Sequence, residues 1–545
     1  MTAGLAARVR AWLDDEVDPA AAHELAALLA AADLDAANAA SSDSTVTGAR
    51  AELADRFSGP LSFGTAGLRG PMRAGPNGMN RAVVRRAAAG LAAWLSGSAH
   101  AGGVVVVGYD GRHGSADFAR DSAAVLAAAG CDTRLMPRLL PTPLLAFAVR
   151  QLGAAAGVMV TASHNPPQDN GYKVYLADGA QVVSPVDAQL EAAIQAVGPT
   201  RAIPLATERV SVLDEQIVDD YVTAVAALVG AGARELRIVH TAMHGVGTEV
   251  LTKVFAAAGF EPVLEVAAQA APDADFPTVA FPNPEEPGAL NLALALAHDC
   301  AADIVIANDP DADRCAVAVP APSGWRMLRG DEVGILLADA LLGKGIKGTY
   351  ATTIVSSSML KAMAARHGVG YVETLTGFKW IARAAPDLGY GYEEALGYAV
   401  APALVGDKDG ISAALLVAEL AARLKRDGSS LLGRLDELAA EYGRYATDQL
   451  SLRVDDLAVI GDTMARLRAG PPVTFLGEHV TVDDLLPDTD GLRFRFAGGR
   501  VVVRPSGTEP KLKAYLEVVE PSGSAQAATT RLTRLRHQVS TVLGS

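Results

Sequence analysis

Three aspartates stand at alternate positions in the stretch NDPDADR, namely Asp309, Asp311 and Asp313. The apolar residues 304–307 before them predict a buried strand, and ligands of open α/β sheets bind just beyond the carboxyl ends of strands. Alternate positions in an extended loop would send the three carboxylates to one side, where they repel each other unless a cation lies between them. Oxygen ligands of this kind suit Mg²⁺, which usually completes its shell with water or a phosphate.

Other interpretations of the aspartate loop compete with a magnesium site. An EF-hand would need Gly and Glu where Arg314 and Pro320 stand, so it is rejected. A phosphatase of the haloacid-dehalogenase type would use Asp309 or Asp311 as its nucleophile, although its usual Thr or Val after the second Asp is not cleanly found. A solvated acidic turn is disfavoured because the aspartates follow a buried strand.

A second candidate is the loop TASHNPPQDNGYKVY, which follows the strand-like run GVMVT and carries Ser163, His164 and Lys173. A serine hydroxyl is a weak nucleophile and needs an activating or phosphate-binding setting. Asn170-Gly171 predicts a turn that could bring Lys173 back towards Ser163, as a phosphate binder or an acid/base group. A plain turn between two strands accounts for the same residues equally well.

Three further stretches could bind anions or sugar hydroxyls. In the stretch GGRVVVRPSGTEPKLKAY, a predicted strand ends at Arg504 and is followed by a turn with hydroxyls and backbone N–H groups. This combination favours a phosphate-binding loop over a simple hairpin turn. LSFGTAGLRG combines glycines with Arg69 and is a weak signal alone. GYEEALGY places adjacent carboxylates in an aromatic, Gly-bounded loop that could accept hydrogen bonds from a sugar or could begin a helix.

Length and composition limit the classes of function. The 545 residues predict three or four domains, and the net charge of −15 disfavours nucleic acid as a partner. The 3 cysteines have no C-x-x-C spacing, which indicates a reducing compartment. The sequence shows neither a signal peptide nor an apolar run long enough to span a membrane, so we expect a cytoplasmic protein without a membrane partner.

The elements that must position these residues follow a repeated pattern. Strand–helix–strand units begin at Val104, Leu236 and Gly348, and such units build parallel sheets covered by helices. Residues 1–57 have helical spacing, with a helix start predicted at Asp18-Pro19. After about residue 445 the pattern changes to antiparallel strands and a final helix.

Taken together, TASHNPP, NDPDADR and RPSGTEPK, in this order, resemble the α-D-phosphohexomutase family, which includes phosphoglucomutase and phosphomannomutase, over about residues 58–516. The resemblance implies three similar α/β domains with mixed, largely parallel sheets, and a smaller C-terminal α+β domain, around a central cleft. The expected segments are a helical extension (1–57), domain I with the phosphoserine loop (58–205), domain II with the metal loop (206–325), domain III with the sugar-binding loop (326–445) and domain IV with the phosphate-binding loop (446–545).

The resemblance also assigns a role to each matching residue. Ser163 would carry the phosphoryl group and, with the three aspartates, hold one Mg²⁺ per chain. The other expected catalytic residues are His164, Lys173 and Arg69. The expected substrate contacts are Arg314, Thr376, Gly377, Glu393 and Lys408. The expected phosphate-binding residues are Arg504, Ser506, Gly507 and Thr508.

The activity implied is a mutase that moves a phosphoryl group between C1 and C6 of glucose or mannose phosphate, with a sugar 1,6-bisphosphate as activator and intermediate. Ala395 departs from the serine that many hexomutases have two residues after the sugar-binding Glu393. The form GYEEALGY is closer to the branch that includes pentose-handling mutases, so a phosphopentomutase is the alternative. An aspartate-nucleophile phosphatase and a non-enzymatic phosphosugar-binding protein are the remaining rivals.

Overall fold

The computed structural model describes residues 2–32, 44–62, 67–454, 456, 458–506 and 511–544. The chain forms two compact units. Unit 1 comprises Met1–Leu228, Arg237–Cys315 and Ala403–Ile411, and unit 2 comprises Val229–Leu236, Ala316–Pro402 and Ser412–Ser545. Among the described helices, none combines the length and the apolar character that crossing a bilayer requires.

The N-terminal part of unit 1 is helical, as its spacing predicts. Its helices are α1 (Thr2–Asp15), α2 (Pro19–Ala32) and α3 (Ser44–Arg56). The predicted helix start is confirmed, because α2 begins at Pro19 and the Asp18 carboxylate accepts a hydrogen bond from Ala20 N at 2.9 Å. Leu25, Leu53 and Phe57 form the centre of its small apolar core.

The first α/β domain follows in unit 1. Its elements are β1 (Leu68–Pro71), α4 (Arg81–Ser96), β2 (Val104–Tyr109), α5 (Ser115–Ala128), β3 (Asp132–Leu135), α6 (Thr142–Gln151), β4 (Ala156–Val160), β5 (Asp169–Leu176), α7 (Val186–Gln195) and β6 (Ser211–Val212). The sheet has the order β1-β5-β4-β2-β3-β6. Strands β3, β2 and β4 run parallel, and β5 is antiparallel to both β4 and β1.

The second α/β region of unit 1 carries the aspartate loop. Its elements are α8 (Gln216–Ala226), β7 (Ile238–Thr241), α9 (Gly247–Ala257), β8 (Leu264–Glu265), α10 (Ala267–Ala270), α11 (Asn291–Asp299) and β9 (Ile304–Ala307). Strands β8 and β9 both run parallel to β7. All four residues of β9 are buried, which agrees with the strand predicted for residues 304–307.

Unit 2 begins with a hairpin and a third α/β region. Its elements are β10 (Ala316–Ala321), β11 (Gly324–Met327), α12 (Gly330–Gly343), β12 (Thr349–Thr353), α13 (Met359–His367), β13 (Gly370–Thr374), α14 (Phe378–Ile381), β14 (Leu388–Glu393), β15 (Gly397–Ala399), α15 (Gly410–Arg426) and α16 (Leu431–Tyr442). The sheet order is β13-β12-β14-β15, and only the hairpin partner β15 is antiparallel to its neighbour. Residues 403–411, which lie between β15 and most of α15 in the sequence, pack with unit 1.

The C-terminal region of unit 2 is antiparallel, as predicted. Its elements are β16 (Arg444–Arg453), α17 (Ala458–Ala469), β17 (Thr474–Phe475), β18 (Glu478–His479), β19 (Thr481–Asp484), β20 (Leu492–Phe496), β21 (Gly499–Pro505), β22 (Lys511–Glu520) and α18 (Ala525–Leu543). The main sheet has the order β16-β22-β21-β20-β19.

The three predicted strand–helix–strand units are confirmed by strand pairing. Strand β2 pairs in parallel with β3 across α5, β7 with β8 across α9, and β12 with β13 across α13. The chain therefore has the mixed α/β architecture with a smaller α+β end that its sequence pattern predicts.

Candidate active site

Ser163 lies in a tight turn beyond the end of β4. The five residues of β4 are buried, and the chain turns immediately afterwards, with Asn165 N donating to Ala162 O at 3.1 Å. Ser163 has a left-handed backbone, with φ of 53°, and its N–H donates to Thr161 Oγ1 at 2.9 Å. A left-handed conformation is unusual for a residue other than glycine, and such strain concentrates at functional sites.

The prediction of a turn at Asn170-Gly171 is wrong. Both residues belong to β5, where Gly171 pairs with Arg69 of β1. The Asn170 amide, instead of closing a turn, donates to His113 O at 2.8 Å. A Cβ at Gly171 would lie 2.5 Å from Thr161 O, so glycine is needed for strand approach. The reversal itself occurs in residues 163–168.

The three aspartates converge, although not for the predicted reason. Their carboxylate oxygens lie within 4.8 Å of one another, and all three side chains are buried. The loop is not extended. Ala312 has a left-handed φ of 56°, and its N–H donates to Asp309 O at 2.8 Å, which closes a turn. The turn, rather than strand alternation, brings the carboxylates together.

Hydrogen bonds connect the serine loop to the aspartate loop within unit 1. Ser163 Oγ donates to Asp309 Oδ2 at 2.9 Å. The Lys173 ammonium donates to Asp311 Oδ2 at 2.7 Å and to Asp313 Oδ2 at 2.9 Å. Lys408 belongs to the segment of residues 403–411 that packs with unit 1, and its Nζ lies 3.3 Å from Asp313 Oδ2. The structure thus brings together six residues from three parts of the chain that are far apart in the sequence.

The electrostatic balance differs between the aspartates. Burial alone would raise the pKa of Asp313, but the charges of Lys173, Lys408 and Arg314 hold that pKa well below its ordinary value. Burial and the charge of Asp313 raise the pKa of Asp309 and of Asp311. The neighbouring lysines and arginine therefore neutralise the charge of Asp313 more completely than the charges of Asp309 and Asp311.

Lys173 and His164 have opposite protonation preferences. Burial lowers the pKa of Lys173, but Asp311 and Asp313 more than compensate, so its pKa is raised and the ammonium stays charged. Burial and the charges of Arg314 and Arg69 lower the pKa of His164 well below its ordinary value, which leaves a neutral imidazole. Its Nδ1 lies 3.1 Å from Ser163 Oγ.

Two buried oxygens of the cluster are not hydrogen bonded. Asp311 Oδ1 and Asp313 Oδ1 have no hydrogen-bond partner among the described residues. Buried carboxylate oxygens are normally hydrogen bonded or bound to a metal. Oxygen-only donors in a close group fit a hard divalent cation such as Mg²⁺. The donor set thus fits the cation that the sequence suggests.

Two arginines lie beside the carboxylates. Arg314 N donates to Asp309 Oδ1 at 3.1 Å, and its Nε lies 3.8 Å from Asp313 Oδ1. Arg69 Nε is buried and has no hydrogen-bond partner among the described residues. Guanidinium groups bind phosphate oxygens through paired N–H groups. Three carboxylates that could hold a cation and donors suited to an anion therefore occur in one region of unit 1.

In unit 2, the two adjacent glutamates have different environments. Glu393 ends β14 and pairs with Gly397 in the hairpin to β15, so the predicted helix-start alternative for this loop is wrong. The Glu394 carboxylate accepts hydrogen bonds from Ser356 Oγ at 2.9 Å and from Thr353 Oγ1 at 3.1 Å. Glu394 is therefore fixed by its neighbours, which agrees with Glu393 as the candidate for ligand contact.

Thr376 and Gly377 lie at the start of α14, where Gly377 has a φ of 110° that other residues rarely adopt. Arg504 lies near the end of β21, and its Nε is buried without a hydrogen-bond partner among the described residues. Ser506 N donates to Lys511 O at 2.8 Å. Gly507 and Thr508 lie outside the described residues.

Comparison with known proteins identifies the family. Four models of the phosphoglucomutase/phosphomannomutase family match consecutive parts of the chain: the alpha/beta/alpha domains I (60–201), II (219–324) and III (329–439), and the C-terminal domain (452–530). The chain belongs to the phosphoglucomutase/phosphomannomutase family. It is an enzyme of that type, and the resemblance seen in the sequence motifs is confirmed.

Individual relatives within this family have several names. A probable phosphomannomutase of Haemophilus influenzae is 48% identical over 453 residues, covering 81% of this chain and 93% of that protein. The mouse phosphopentomutase is 36% identical over 541 residues, covering 88% and 87%. A solved structure of a phosphomannomutase-type protein from Thermus thermophilus has 29% identity and a TM-score of 0.70, covering 88% of this chain and 99% of that one.

Two positioning groups of this phosphomutase were missed in the sequence. Thr142, at the start of α6, donates through its hydroxyl to Asp311 Oδ2 at 2.7 Å. Asn308 Nδ2 donates to Arg314 O at 2.7 Å, and Asn308 Oδ1 lies 3.0 Å from His240 Nε2. Burial lowers the pKa of His240 to about 4, so its neutral ring can donate to that oxygen. The only sequence signal for Thr142 is its place between two prolines, which fixes a helix start.

Proposed function

We propose that this chain interconverts hexose phosphates, moving a phosphoryl group between C1 and C6 of glucose or mannose phosphate through phosphorylated Ser163 and a sugar bisphosphate. One observation carries the proposal: Ser163 Oγ lies 2.9 Å from Asp309 Oδ2 in a buried cluster with two unsatisfied carboxylate oxygens. A hydroxyl in this place suits a phosphoryl carrier, because transfer depends mainly on positioning and charge neutralisation.

In the proposed reaction, phosphorylated Ser163 donates its phosphoryl group to the free hydroxyl of a sugar monophosphate. The O–P bond to the serine breaks as the bond to the sugar oxygen forms, and the hydroxyl proton leaves to a nearby base. The resulting bisphosphate returns its other phosphoryl group to Ser163, which releases the isomer. The enzyme thus ends each cycle phosphorylated.

The residues around Ser163 support this cycle in different ways. The neutral His164 imidazole, 3.1 Å from the hydroxyl, is placed to exchange a proton there. Lys173, which donates to Asp311 and Asp313, is assigned to charge stabilisation and proton transfer. Arg69 Nε is available to a phosphate oxygen. Arg314 supplies a further positive charge beside Asp309.

Asp309, Asp311 and Asp313, together with Ser163, would hold one Mg²⁺. The ion would supply positive charge to the phosphoryl oxygens when it is bound. The carboxylates themselves hold the Ser163 hydroxyl and the Lys173 ammonium in fixed positions.

The rest of the substrate contacts are proposed from the family motifs and the local geometry. Glu393, at the end of β14, would accept hydrogen bonds from sugar hydroxyls, as the family motif implies. Arg504, whose buried Nε has no hydrogen-bond partner among the described residues, would bind the phosphate that does not react, together with the loop that contains Ser506, Gly507 and Thr508. Thr376, Gly377 and Lys408 complete the proposed contacts.

A pentose phosphate is the second candidate substrate. Two observations favour it: relatives named phosphopentomutase align over 87–88% of the chain, and Ala395 replaces the serine expected in the sugar loop. The substrate would then be ribose or deoxyribose 1- or 5-phosphate. The relative with the higher identity, 48%, is named for mannose phosphate, so hexose remains our first choice.

The test measures isomerisation of glucose 1-, mannose 1- and ribose 1-phosphate with Mg²⁺ and a trace of the matching sugar bisphosphate. We compare wild type with Ser163→Ala and Ser163→Gly. Glycine adopts the φ of 53° freely, so a loss of activity in Ser163→Gly reflects the missing hydroxyl rather than backbone strain. Ser522→Ala, which removes a hydroxyl from an exposed turn, is the control.

We expect both Ser163 variants to lose mutase activity while Ser522→Ala retains it. The ranking of the three sugars decides between hexose and pentose. Release of inorganic phosphate that survives both Ser163 substitutions would reject the proposal in favour of an aspartate nucleophile. Binding of sugar phosphate without turnover in the wild type would favour the non-enzymatic alternative.

A further inference from the structure

Arg112, in the loop between β2 and α5, contacts the turn of residues 163–168 and the first residue of β5. It was not predicted as a site residue. Its side chain is buried, and the whole residue is 4% exposed. The guanidinium donates to four main-chain carbonyls of the turn: Ser163 O at 2.7 Å, Asn165 O at 2.5 Å, Pro166 O at 2.9 Å and Asp169 O at 3.1 Å.

The main chain satisfies only part of the turn's carbonyls among the described residues: Asp169 N donates to Pro166 O at 3.1 Å and Met72 N to Gln168 O at 2.7 Å, and Arg112 adds the donors for Ser163 O and Asn165 O. Residues 163–168 reverse the chain within a few residues, and Ser163 is left-handed within them. Pro166 and Pro167 also lack N–H groups of their own. Buried carbonyls without donors are unfavourable, and a planar guanidinium can bind several at once in a fixed geometry. The ammonium of a lysine presents no such planar fork.

Arg112 is itself held from the opposite side. Its backbone N–H donates to Asp110 Oδ1 at 3.0 Å, and its Nε lies 3.5 Å from Asp110 Oδ2. The Ser115 hydroxyl donates to the same Asp110 Oδ1 at 2.7 Å. The ring of Phe276 covers the guanidinium, with its centroid 5.0 Å from Cζ. The turn is therefore connected to the end of β2 through one fixed side chain.

We propose that Arg112 is a positioning residue for phosphoryl transfer, which sets the place of Ser163 Oγ against Asp309 by binding the carbonyls of the turn. This inference rests on the proposed function of Ser163. Arg112 contacts main-chain oxygens of the turn, not the reacting hydroxyl, so it acts through the position of the serine. A displacement of about 1 Å at a reacting atom can reduce the rate about 100-fold.

A positioning role has a specific kinetic signature. Residues proposed to bind the sugar, such as Glu393 and Arg504, belong to unit 2 and are not touched by the change. We therefore expect a fall in kcat with KM for the sugar phosphate nearly unchanged. Transfer from glucose 1,6-bisphosphate to Ser163 should slow in parallel, because it uses the same serine position.

The experiment compares full-length wild type, Arg112→Lys and Arg85→Lys. Arg85 is the matched control, because its buried guanidinium also forms a fork, with Asp121 Oδ1 and Oδ2 at 3.1 and 2.9 Å, between α4 and α5. Steady-state kinetics, the rate of Ser163 phosphorylation by glucose 1,6-bisphosphate followed by intact mass, and the thermal unfolding midpoint are measured for each. Hydrogen exchange reports the protection of residues 163–169.

We expect Arg112→Lys to lower kcat and the Ser163 phosphorylation rate by about 100-fold, with KM within about threefold. In Arg112→Lys, protection from hydrogen exchange should fall in residues 163–169. Arg85→Lys should keep the wild-type kcat, although its thermal unfolding midpoint falls by as much as that of Arg112→Lys or more. A kcat within about threefold of wild type in Arg112→Lys overturns the proposal, as does an equal kcat loss in Arg85→Lys.

Asp110→Asn tests the same role if Arg112→Lys does not fold. It keeps the Oδ1 acceptor for Arg112 N and Ser115 Oγ but removes the counter-charge. We expect kcat to fall about tenfold at constant KM, and a wild-type kcat overturns the proposal. Wild-type enzyme that takes no phosphoryl group on Ser163 would instead reject the proposed function itself, so the two failures are distinguishable.

Discussion

Two groups of carboxylates, one in each unit, differ in how many of their oxygens accept a hydrogen bond. In the unit 1 cluster, Asp309, Asp311 and Asp313, two buried oxygens accept no hydrogen bond from the described residues, although Arg314 Nε lies 3.8 Å from one of them, Asp313 Oδ1. The unit 2 network centres on Glu373 and Glu517, and each of their four oxygens accepts at least one hydrogen bond or ion pair.

The partners of the unit 2 network account for the difference. Glu373 Oε1 accepts from Arg500 Nη1 and its Oε2 from Arg493 Nη1, both at 2.6 Å. Glu517 accepts from Ser357 and Ser358 through Oε1, and from Ser358 Oγ and Arg500 Nε through Oε2. This network joins β13 and the start of α13 to β21 and β22. It therefore connects these elements of unit 2 and gives each of the four carboxylate oxygens a partner.

Carboxylate oxygens that accept no hydrogen bond thus distinguish a candidate site from a structural ion-pair network more clearly than burial or charge does. Both groups are acidic and lie next to arginine or lysine, and all their carboxylates are buried except that of Glu373, which is 23% exposed. In unit 1, removing a carboxylate should harm activity more than stability, whereas in unit 2 it should harm stability more than activity. Substitutions in the two groups test this contrast.

The largest effect is expected from Asp309→Asn in unit 1. We expect kcat to fall by about 10³-fold, because the phosphoryl site loses a cation ligand and a negative charge worth several kcal/mol. The free energy of unfolding should stay within about 1 kcal/mol of wild type, because one of three repelling carboxyl groups is removed. Mutase assays and urea unfolding measure the two quantities.

Mg²⁺ titration by calorimetry is the control for Asp309→Asn, and binding should weaken in the variant. If activity is retained while stability falls, the unit 1 cluster is a structural network like that of unit 2, and the contrast between the two units is wrong.

Glu517→Gln is the corresponding change in unit 2. We expect the free energy of unfolding to fall by roughly 3–5 kcal/mol, because a buried pair with Arg500 is broken and an amide N–H then faces its Nε. Activity measured well below the unfolding midpoint should stay within about threefold of wild type. Chemical unfolding followed by circular dichroism gives the stability.

The matched control for Glu517→Gln is Glu437→Gln, which removes a half-exposed partner of Arg434. Because solvent screens that pair, we expect a change below about 0.5 kcal/mol. Equal losses in both variants would mean that burial does not distinguish the unit 2 network.

Much of the fold could be predicted from sequence, because apolar runs and glycine stops at regular intervals mark strands and helices. The three strand–helix–strand units and the antiparallel end were found this way. The aspartates were also found, since three carboxylates directly after a buried strand are costly unless they bind a cation. The details of the loops were not predictable, because the turns at Ser163 and Ala312 depend on left-handed residues with no sequence signal.

Positioning residues were missed for a related reason. Thr142 and Arg112 reach the site from other parts of the chain, 169 and 51 residues away from their partners Asp311 and Ser163. Nothing in the local sequence of a threonine or an arginine indicates such a distant contact. Likewise, the packing of residues 403–411 with unit 1 follows from tertiary contacts rather than from chain order.

Asp331 in unit 2, outside the pairs of Glu373 and Glu517 with arginine, provides a pH test of the cost of burying a charged carboxylate. Burial, with the nearby charges of Glu394 and Glu517, raises the pKa of Asp331 to about 7, although Ser357 N donates to it. An unfolded aspartate has the ordinary pKa of 3.8, so the folded state keeps this proton longer. The stability that this group contributes is present below pH 3.8 and is lost as the pH rises through about 7.

Asp331→Asn should therefore be more stable than wild type at pH 8, and the advantage should shrink at pH 5. At about 1.36 kcal/mol per pKa unit, the advantage should differ by roughly 2–3 kcal/mol between the two pH values. Asparagine keeps the Oδ1 acceptor for Ser357 N and Tyr392 OH. Urea unfolding at both pH values measures the difference, and parallel curves for the two proteins would contradict it.

The smallest effect is expected from Thr142→Val in unit 1. The substitution keeps the shape of the side chain but removes the hydroxyl that donates to Asp311 Oδ2 at 2.7 Å. Asp311 Oδ2 then keeps the hydrogen bond from Lys173 Nζ but loses the second one, which makes its orientation less definite, so we expect Mg²⁺ affinity and kcat to fall by about tenfold. Thr142→Ser, which retains the hydroxyl, should behave as wild type. If Thr142→Val keeps wild-type activity while Thr142→Ser loses it, the methyl packing of Thr142 matters rather than its hydrogen bond to Asp311.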